Sequence, residues 1–405
     1  VRAAAAGARY DGAIVAAAVV VLIAIVAALA GRAARWIGQP AMIGYVVAGA
    51  VAAFVLPRGT SFDATLRACA LLGELGVLAL MFTSGAEMDG GELWSRARRG
   101  VPLTLAVIAT PFAAGLALAP RFPQLRGAGA DPIAFTILIA TCLTVTAFPV
   151  LIEILRDRHL LATRIGATAV ATAAVDDLFL WLMLAILAVL VHRQGSAATL
   201  VRLVVAFTVA LPLAVIVARF VFRRVQHLAI VVAFTAAVIA LLAWLGVHPV
   251  FVAFFVGTAM PHAPATGAML ATLRRLLCTL FLPLFFAGIG MHVASIRGAL
   301  AISAIFIAVA VVAKIVPATL VSRLRGEPWR HAFVLGALLN ARGAMELIAA
   351  KLGLELGLLS PTGFSVLVSV AVVTTLITGP LLRAAYSPSL GSTTAAAVSS
   401  SDAAA

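Results

Sequence analysis

Apolar residues do not alternate with polar ones along this chain; they come in long runs. Thirteen can be marked, near residues 12–30, 40–56, 66–86, 101–119, 132–154, 163–191, 199–222, 227–244, 248–260, 272–291, 299–321, 331–350 and 361–384. About 20 apolar residues in an α-helix cross the hydrocarbon of a bilayer, and most of these runs reach that length. The strands of a membrane barrel would alternate, so continuous runs predict helices. The run at 248–260 is short for a crossing, which leaves the count at twelve or thirteen. So regular a series leaves no room for a sizeable soluble domain. The chain reads as an all-α integral membrane protein over residues 1–390. Residues 391–405, rich in Ser, Thr and Ala, form a low-complexity tail with nothing to pack and are predicted to be disordered. The first run is followed directly by others and is not read as a cleaved leader.

Composition sharpens this picture. Hydrophobic residues make up 63% of the chain, charged residues only 11%, and the mean hydropathy is +1.15, outside the range of soluble domains. A net charge of +14 would suggest nucleic acid in a soluble protein. Here the arginines cluster between the runs, where they set topology, and no nucleic-acid partner is implied. Basic residues near run ends are in excess on the side that holds the C-terminus. The positive-inside rule then places the C-terminus in the cytoplasm and the N-terminus outside. Trp36, Trp94, Trp244 and Trp329 fall near run ends, as headgroup anchors would. The bias towards Ala and Arg is that of a high-GC bacterial genome, which points to a bacterial cell membrane. Cys69, Cys142 and Cys278 lie within apolar runs without metal or redox spacing and read as small buried hydrophobes.

The candidate chemistry lies in charges that the apolar runs should not contain. Asp176 and Asp177 sit side by side in GATAVATAAVDDLFLWLMLAILAVLV, where a bare carboxylate costs roughly 3 kcal/mol or more. Carboxylate oxygens suit hard monovalent cations and hold protons more tightly where water is scarce, so the pair suggests a site that trades a proton for a cation. Lys314 stands inside AIFIAVAVVAKIVPATLV, although 27 of the 29 basic residues are arginine. A desolvated lysine can release its proton and an arginine cannot, so Lys314 is read as a proton-coupling or charge-compensating residue.

Two runs are predicted to break. Thr144 and Thr146 precede Pro149 in ATCLTVTAFPVLIEIL, and Asn340, Arg342 and Gly343 interrupt GALLNARGAMELIAAKLG. Interrupted helices at corresponding places in two halves point to an ion site at the membrane midplane of an inverted-repeat transporter. Arg342 and Glu346 are four apart and share a helix face, a structural ion pair at the second break. Glu74, in CALLGELGVLALMF, is an additional intramembrane acid that could pair with Arg342 or lie in the ion's path. His159, in the RDRH connection, reads as a solvated histidine before a pH sensor. No cofactor and no catalytic residue is predicted; the reading is of a transporter and not of an enzyme.

These motifs, in order, resemble the cation:proton antiporter family 2, which includes sodium/proton antiporters, Kef-type systems and CHX exchangers. The likeness runs from IGQPAMIGYVVAGA through LGELGVLALMFTSGAEMD, TVTAFPVLIEIL, AVDDLFLWLMLAI, HPVFVAFFVGTAMP and LPLFFAGIGM to LLNARGAMELIAAKLGLELGLLS. Trp181 and the NARGAMEL segment lean towards the CHX-like branch. The resemblance implies a thirteen-helix fold of inverted repeats, with a core moving against a dimerisation domain and hence a homodimer. It also implies two interrupted helices crossing beside the ion site, with Asp177 as the cation carboxylate, Asp176 paired with Lys314, and Thr144 and Thr146 as polar positions of the first crossing helix. The expected activity is exchange of Na⁺ or K⁺ for protons by alternating access. Two protons per cation would make it voltage-sensitive, and the Asp-Asp pair favours that over one-for-one exchange. A passive cation channel and a non-transporting membrane sensor with the same fold are the alternatives. The chain shows no counterpart of the nucleotide-binding domain of Kef-type systems, and gating by that route is not expected.

Overall fold

In the computed structural model, residues 2–56, 60–87, 90–161, 163–191, 201–202, 204–225, 227–261, 263–293 and 299–385 are described. The proposed tail at 391–405 lies outside them. Every one of the thirteen apolar runs is helical along most of its length, and no strand occurs among the described residues. The helices are α1 (Arg2–Trp36), α2 (Ala41–Val55), α3 (Thr60–Ala86), α4 (Gly90–Leu118), α5 (Pro132–Thr144), α6 (Phe148–Asp157), α7 (Arg164–Val191), α8 (Leu211–Arg224), α9 (Leu228–Trp244), α10 (Pro249–Gly257), α11 (Pro264–Leu273), α12 (Thr279–Met291), α13 (Leu300–Leu324), α14 (Trp329–Leu339), α15 (Ala344–Glu355) and α16 (Pro361–Ala385). The short run at 248–260 forms α10, whose nine residues extend only about 14 Å at the α-helical rise.

The chain divides into two compact units, each assembled from two stretches of sequence. The first comprises residues 1–89 and 192–292. Its α12 packs on α1, α2 and α3, and α10 packs on α3, α8 and α9. Close approach between α2 and α12 depends on glycine: a Cβ at Gly49 would strike the Ala287 carbonyl, and one at Gly290 the Val46 carbonyl. Cys69 and Cys278 are buried in this unit and Cys142 in the other, in keeping with their reading as small hydrophobes.

The second unit comprises residues 90–191 and 293–405. It repeats one plan twice. Helix α4 packs on both halves of its triplet, α5 and α7, as α13 packs on α14 and α16, and α4 and α13 pack against each other. The N-terminal part of α4 lies beside the C-terminal part of α13, while Phe122, just beyond α4, stacks edge-on with Phe306 near the start of α13. The two triplets are therefore inverted with respect to each other, which is the architecture the sequence led us to expect.

The repeats differ most in the connection that follows their first helix. Between α4 and α5, residues 119–131 fold into two single 3₁₀ turns and close one end of the unit. Ser360 N donates to Leu125 O (2.9 Å), Gly127 N to Leu358 O (3.0 Å), and Leu125 is fully buried. Asp131 then N-caps α5, its Oδ1 accepting from Ala134 N at 2.8 Å, with Pro132 in the first turn. The corresponding connection between α13 and α14 is only Arg325–Pro328 and turns at Gly326 (φ 90°), a conformation that favours glycine.

Candidate functional site

Both interruptions occur where the sequence suggests. Helix α5 ends at Thr144, Val145–Ala147 are non-helical, and α6 begins at Phe148 with Pro149 in its first turn, where a missing N–H costs nothing. Helix α14 ends at Leu339 and α15 starts at Ala344. The two breaks bond to each other: Ala147 N donates to Ala341 O (3.0 Å) and Thr146 Oγ1 to Leu339 O (2.8 Å). Backbone groups that a broken helix leaves unpaired in an apolar interior are thus satisfied by the other broken helix.

The last turn of α5 exposes carbonyls that carry the negative end of the helix dipole. Two cations attend them. Arg342 donates through Nη1 to Cys142 O (2.6 Å) and through Nη2 to Leu143 O, while Lys314 Nζ, from α13, donates to Thr144 O. The same ammonium lies 2.7 Å from Asp176 Oδ2 on α7. Lys314 therefore has two partners, a carboxylate and a helix end, and holds α5, α7 and α13 together.

Arg342 Nη1 lies 3.5 Å from Glu346 Oε2, and both side chains are fully buried. Glu346 occupies the first turn of α15, where the dipole favours an acid. The break is held from behind by α16: Thr375 Oγ1 accepts from Arg342 N (3.2 Å) and lies 2.6 Å from Arg342 O and 2.8 Å from Ala371 O, so its one proton serves one of these. Asn340 Nδ2 donates to Thr374 O (3.3 Å). Thr374 and Thr375 were not singled out from sequence; the paired threonines in SVAVVTTLITGP were the available signal.

Asp177 differs from its neighbours. It is 1% exposed, and neither of its carboxylate oxygens has a hydrogen-bond partner among the described residues. Adjacent helical positions point about 100° apart, so Asp176 can face Lys314 while Asp177 faces elsewhere. Among the described residues the buried charged side chains are Asp176, Asp177, Lys314, Arg342 and Glu346, all in this unit. Two acids are matched by two bases, and Asp177 is the charge left over.

The structure brings Asp176, Lys314, Thr144, Thr146, Arg342 and Glu346 into one bonded cluster, with Asp177 adjoining it in sequence. The hydroxyl of Thr144 donates to Ala140 O (2.8 Å) and that of Thr146 to Leu339 O, so a ligand would meet only their lone pairs. Glu74 is exposed on α3 in the first unit, whereas the partners described for the Arg342 guanidinium all come from the second. His159 is exposed, with a left-handed backbone (φ 55°).

The chain is 31% identical over 395 residues to cation/H(+) antiporter 18 of Arabidopsis thaliana, covering 91% of this chain and 48% of that one. It is 29% identical to the Na(+)/H(+) antiporter NhaS4 of Synechocystis, covering 86% and 91% of the two chains. To K(+)/H(+) antiporter 1 of Saccharomyces cerevisiae it is 28% identical, covering 78% and 39%. The chain thus spans about half the length of the plant relatives it matches. Its fold is that of the sodium proton antiporter MjNhaP1 from Methanocaldococcus jannaschii, with a TM-score of 0.67 at 13% identity over 92% of this chain and 97% of that one. Residues 21–386 match the family described as "Sodium/hydrogen exchanger, transmembrane", and with that match covering nearly all of its hydrophobic runs, the chain belongs to this family of transmembrane exchangers.

Proposed function

We propose that this chain exchanges a monovalent cation, Na⁺ or K⁺, for protons across a bacterial cell membrane, by alternating access at Asp177. The observation that carries the reading is the single unmatched charge. With Asp176 paired to Lys314 and Arg342 to Glu346, an ionised Asp177 leaves the buried cluster one positive charge short of neutral. A proton on Asp177 or one monovalent cation bound there removes the deficit equally well. An empty, ionised Asp177 leaves a net charge in a low-dielectric interior, where it is strongly disfavoured. The loaded forms can cross and the empty form cannot, and that prohibition couples the two fluxes. Thr144 and Thr146, beside the crossing, supply further oxygen lone pairs for a dehydrated cation.

Lys314 decides the stoichiometry. If it stays bound to Asp176 throughout, one proton exchanges for one cation and no net charge moves. If the pair also takes up and releases a proton, each cycle moves charge and feels the membrane potential, by about 2.3 kcal/mol per charge per 100 mV. We further propose a homodimer, with the N-terminus outside and the C-terminus in the cytoplasm.

The test is proton flux in proteoliposomes with a pH-sensitive dye, adding Na⁺, K⁺ or Li⁺ in turn, for the parent chain and for Asp177→Asn. Cation-dependent proton flux that is lost in the variant supports the reading and names the ion. Coupled exchange retained by Asp177→Asn would sink it, and cation leak without proton movement would replace it with a passive pore.

A further inference from the structure

The end of the second unit opposite the 119–131 connection is open. A cavity of about 440 Å³ penetrates between α4, α7, α13 and α14 there, within the roughly 300–1,000 Å³ range of small-ligand sites. Thirteen residues fold over one end of the unit, and the four-residue connection Arg325–Pro328 lies at the other.

The rim is basic. Arg164, Arg325, Glu327 and His331 are among the residues that line the cavity. Arg164 Nη2 lies 3.3 Å from Glu327 Oε1, and His331 Nδ1 lies 3.8 Å from Oε2. Among the described lining residues two arginines stand against one carboxylate. Helix α14 begins at the same place. It has eleven residues, and Pro328 at its N-cap offers no side-chain cap, so the positive end of the helix dipole adds to the rim. Deeper in, Thr104 lines the cavity, is 6% exposed, and its Oγ1 has no hydrogen-bond partner among the described residues. Buried hydroxyls without partners are uncommon in folded proteins and mark places where a ligand or water completes the bonding. Basic side chains at the mouth, an uncapped helix start and an unpartnered hydroxyl in the wall together describe a site for an anion rich in acceptor oxygens.

We propose that this cavity binds a phosphate group, presented by a soluble phosphate or by an anionic lipid headgroup. The ligand would join the outer end of α7, twelve residues from Asp176, to the outer end of α14, the first half of the second interrupted helix. It would occupy a place distinct from the cation site and would not depend on which ion is exchanged.

The experiment reads binding, so its outcome is separable from that of the transport assay. The full chain is purified in uncharged detergent and its thermal unfolding followed against orthophosphate, with chloride at matched ionic strength as the control. A parallel arm compares nanodiscs of phosphatidylcholine with and without phosphatidylglycerol, in phosphate-free buffer. The expected result is a saturable rise in Tm of several degrees in at least one arm. In that arm the apparent affinity should fall about tenfold in Arg325→Gln, recover in Arg325→Lys, and fall also in Thr104→Val, which leaves the rim charge intact. A rise with orthophosphate assigns a soluble ligand, and a rise only with phosphatidylglycerol assigns a headgroup. No rise in either arm overturns the proposal, as does a rise that Arg325→Gln and Thr104→Val both keep. Should Arg325→Gln fail to fold, Thr104→Val alone decides.

Discussion

A charge inside an apolar run has to be explained by something, and that is why the candidate residues stand out in the sequence. Asp176, Asp177 and Lys314 stand out against their neighbours, and so does the one lysine among arginines at mid-run. Their different surroundings are a matter of geometry. Asp176 has a cation at 2.7 Å, and Asp177 has no partner among the described residues. Asp177→Asn replaces an acid that needs a proton or a cation to be neutral with a side chain that is neutral already, so it should abolish exchange and also raise the unfolding temperature; a fall in Tm would show that the carboxyl makes a stabilising interaction that Asn cannot. Lys314→Met leaves Asp176 and Thr144 O without their donor and should cost about 3–5 kcal/mol. Adding Asp176→Asn to it should recover much of that loss, as a double-mutant cycle on chemical denaturation would measure. What the sequence could not offer was the backbone. That Arg342 and Lys314 bind the carbonyls of Cys142, Leu143 and Thr144 leaves no trace in residue identity, because any side chain can stand above a carbonyl.

Among the elements, the same distinction holds. All thirteen apolar runs become helix, since continuous hydrophobicity has only that outcome in a bilayer. Both breaks were legible because proline, glycine and polar residues there are costly in a membrane helix unless something answers the freed backbone groups. The answering partners were not legible: each break is completed by the other, from nearly two hundred residues away, and by α16. Thr375 shows how the second break is held. Replacing it with Val, similar in shape but without the hydroxyl, should destabilise the chain by about 1–3 kcal/mol, and Thr375→Ser should restore most of this in the same unfolding assay. The 119–131 connection also escaped prediction, because its closure depends on backbone pairing with residues 358–360. At Gly127 a Cβ would collide with the Gly357 carbonyl, so Gly127→Ala should loosen this end and speed amide hydrogen exchange at position 127 and at Ser360.

At the scale of the molecule, hydrophobic patterning gave the class and the number of runs, but not the grouping into units. Nothing in a sequence announces that residues 90–191 will pack with a stretch beginning two hundred residues later. The inverted arrangement of the second unit makes its two ends testable landmarks. In a background with Cys69, Cys142 and Cys278 replaced, Arg164→Cys and Gln124→Cys should react with a membrane-impermeant thiol reagent from opposite faces. Arg164 is well exposed at the cavity end and Gln124 is exposed at the closed end. The positive-inside reading predicts that Arg164→Cys is the one labelled from the cytoplasm; the reverse pattern would invert the topology.

The bond between Lys314 and Asp176 also has a consequence for how the protein is made. The two residues are 138 positions apart, and at typical ribosomal rates that separation takes about 7–30 s to synthesise. Throughout that interval α7 has left the ribosome with two carboxyl groups and no lysine to meet them. A nascent chain stopped before residue 299 should therefore hold α7 poorly in the lipid, or hold it only with its acids protonated, while one extended past residue 324 should retain it firmly. Biogenesis of this protein has to shelter a helix that becomes a stable membrane element only when its partner arrives.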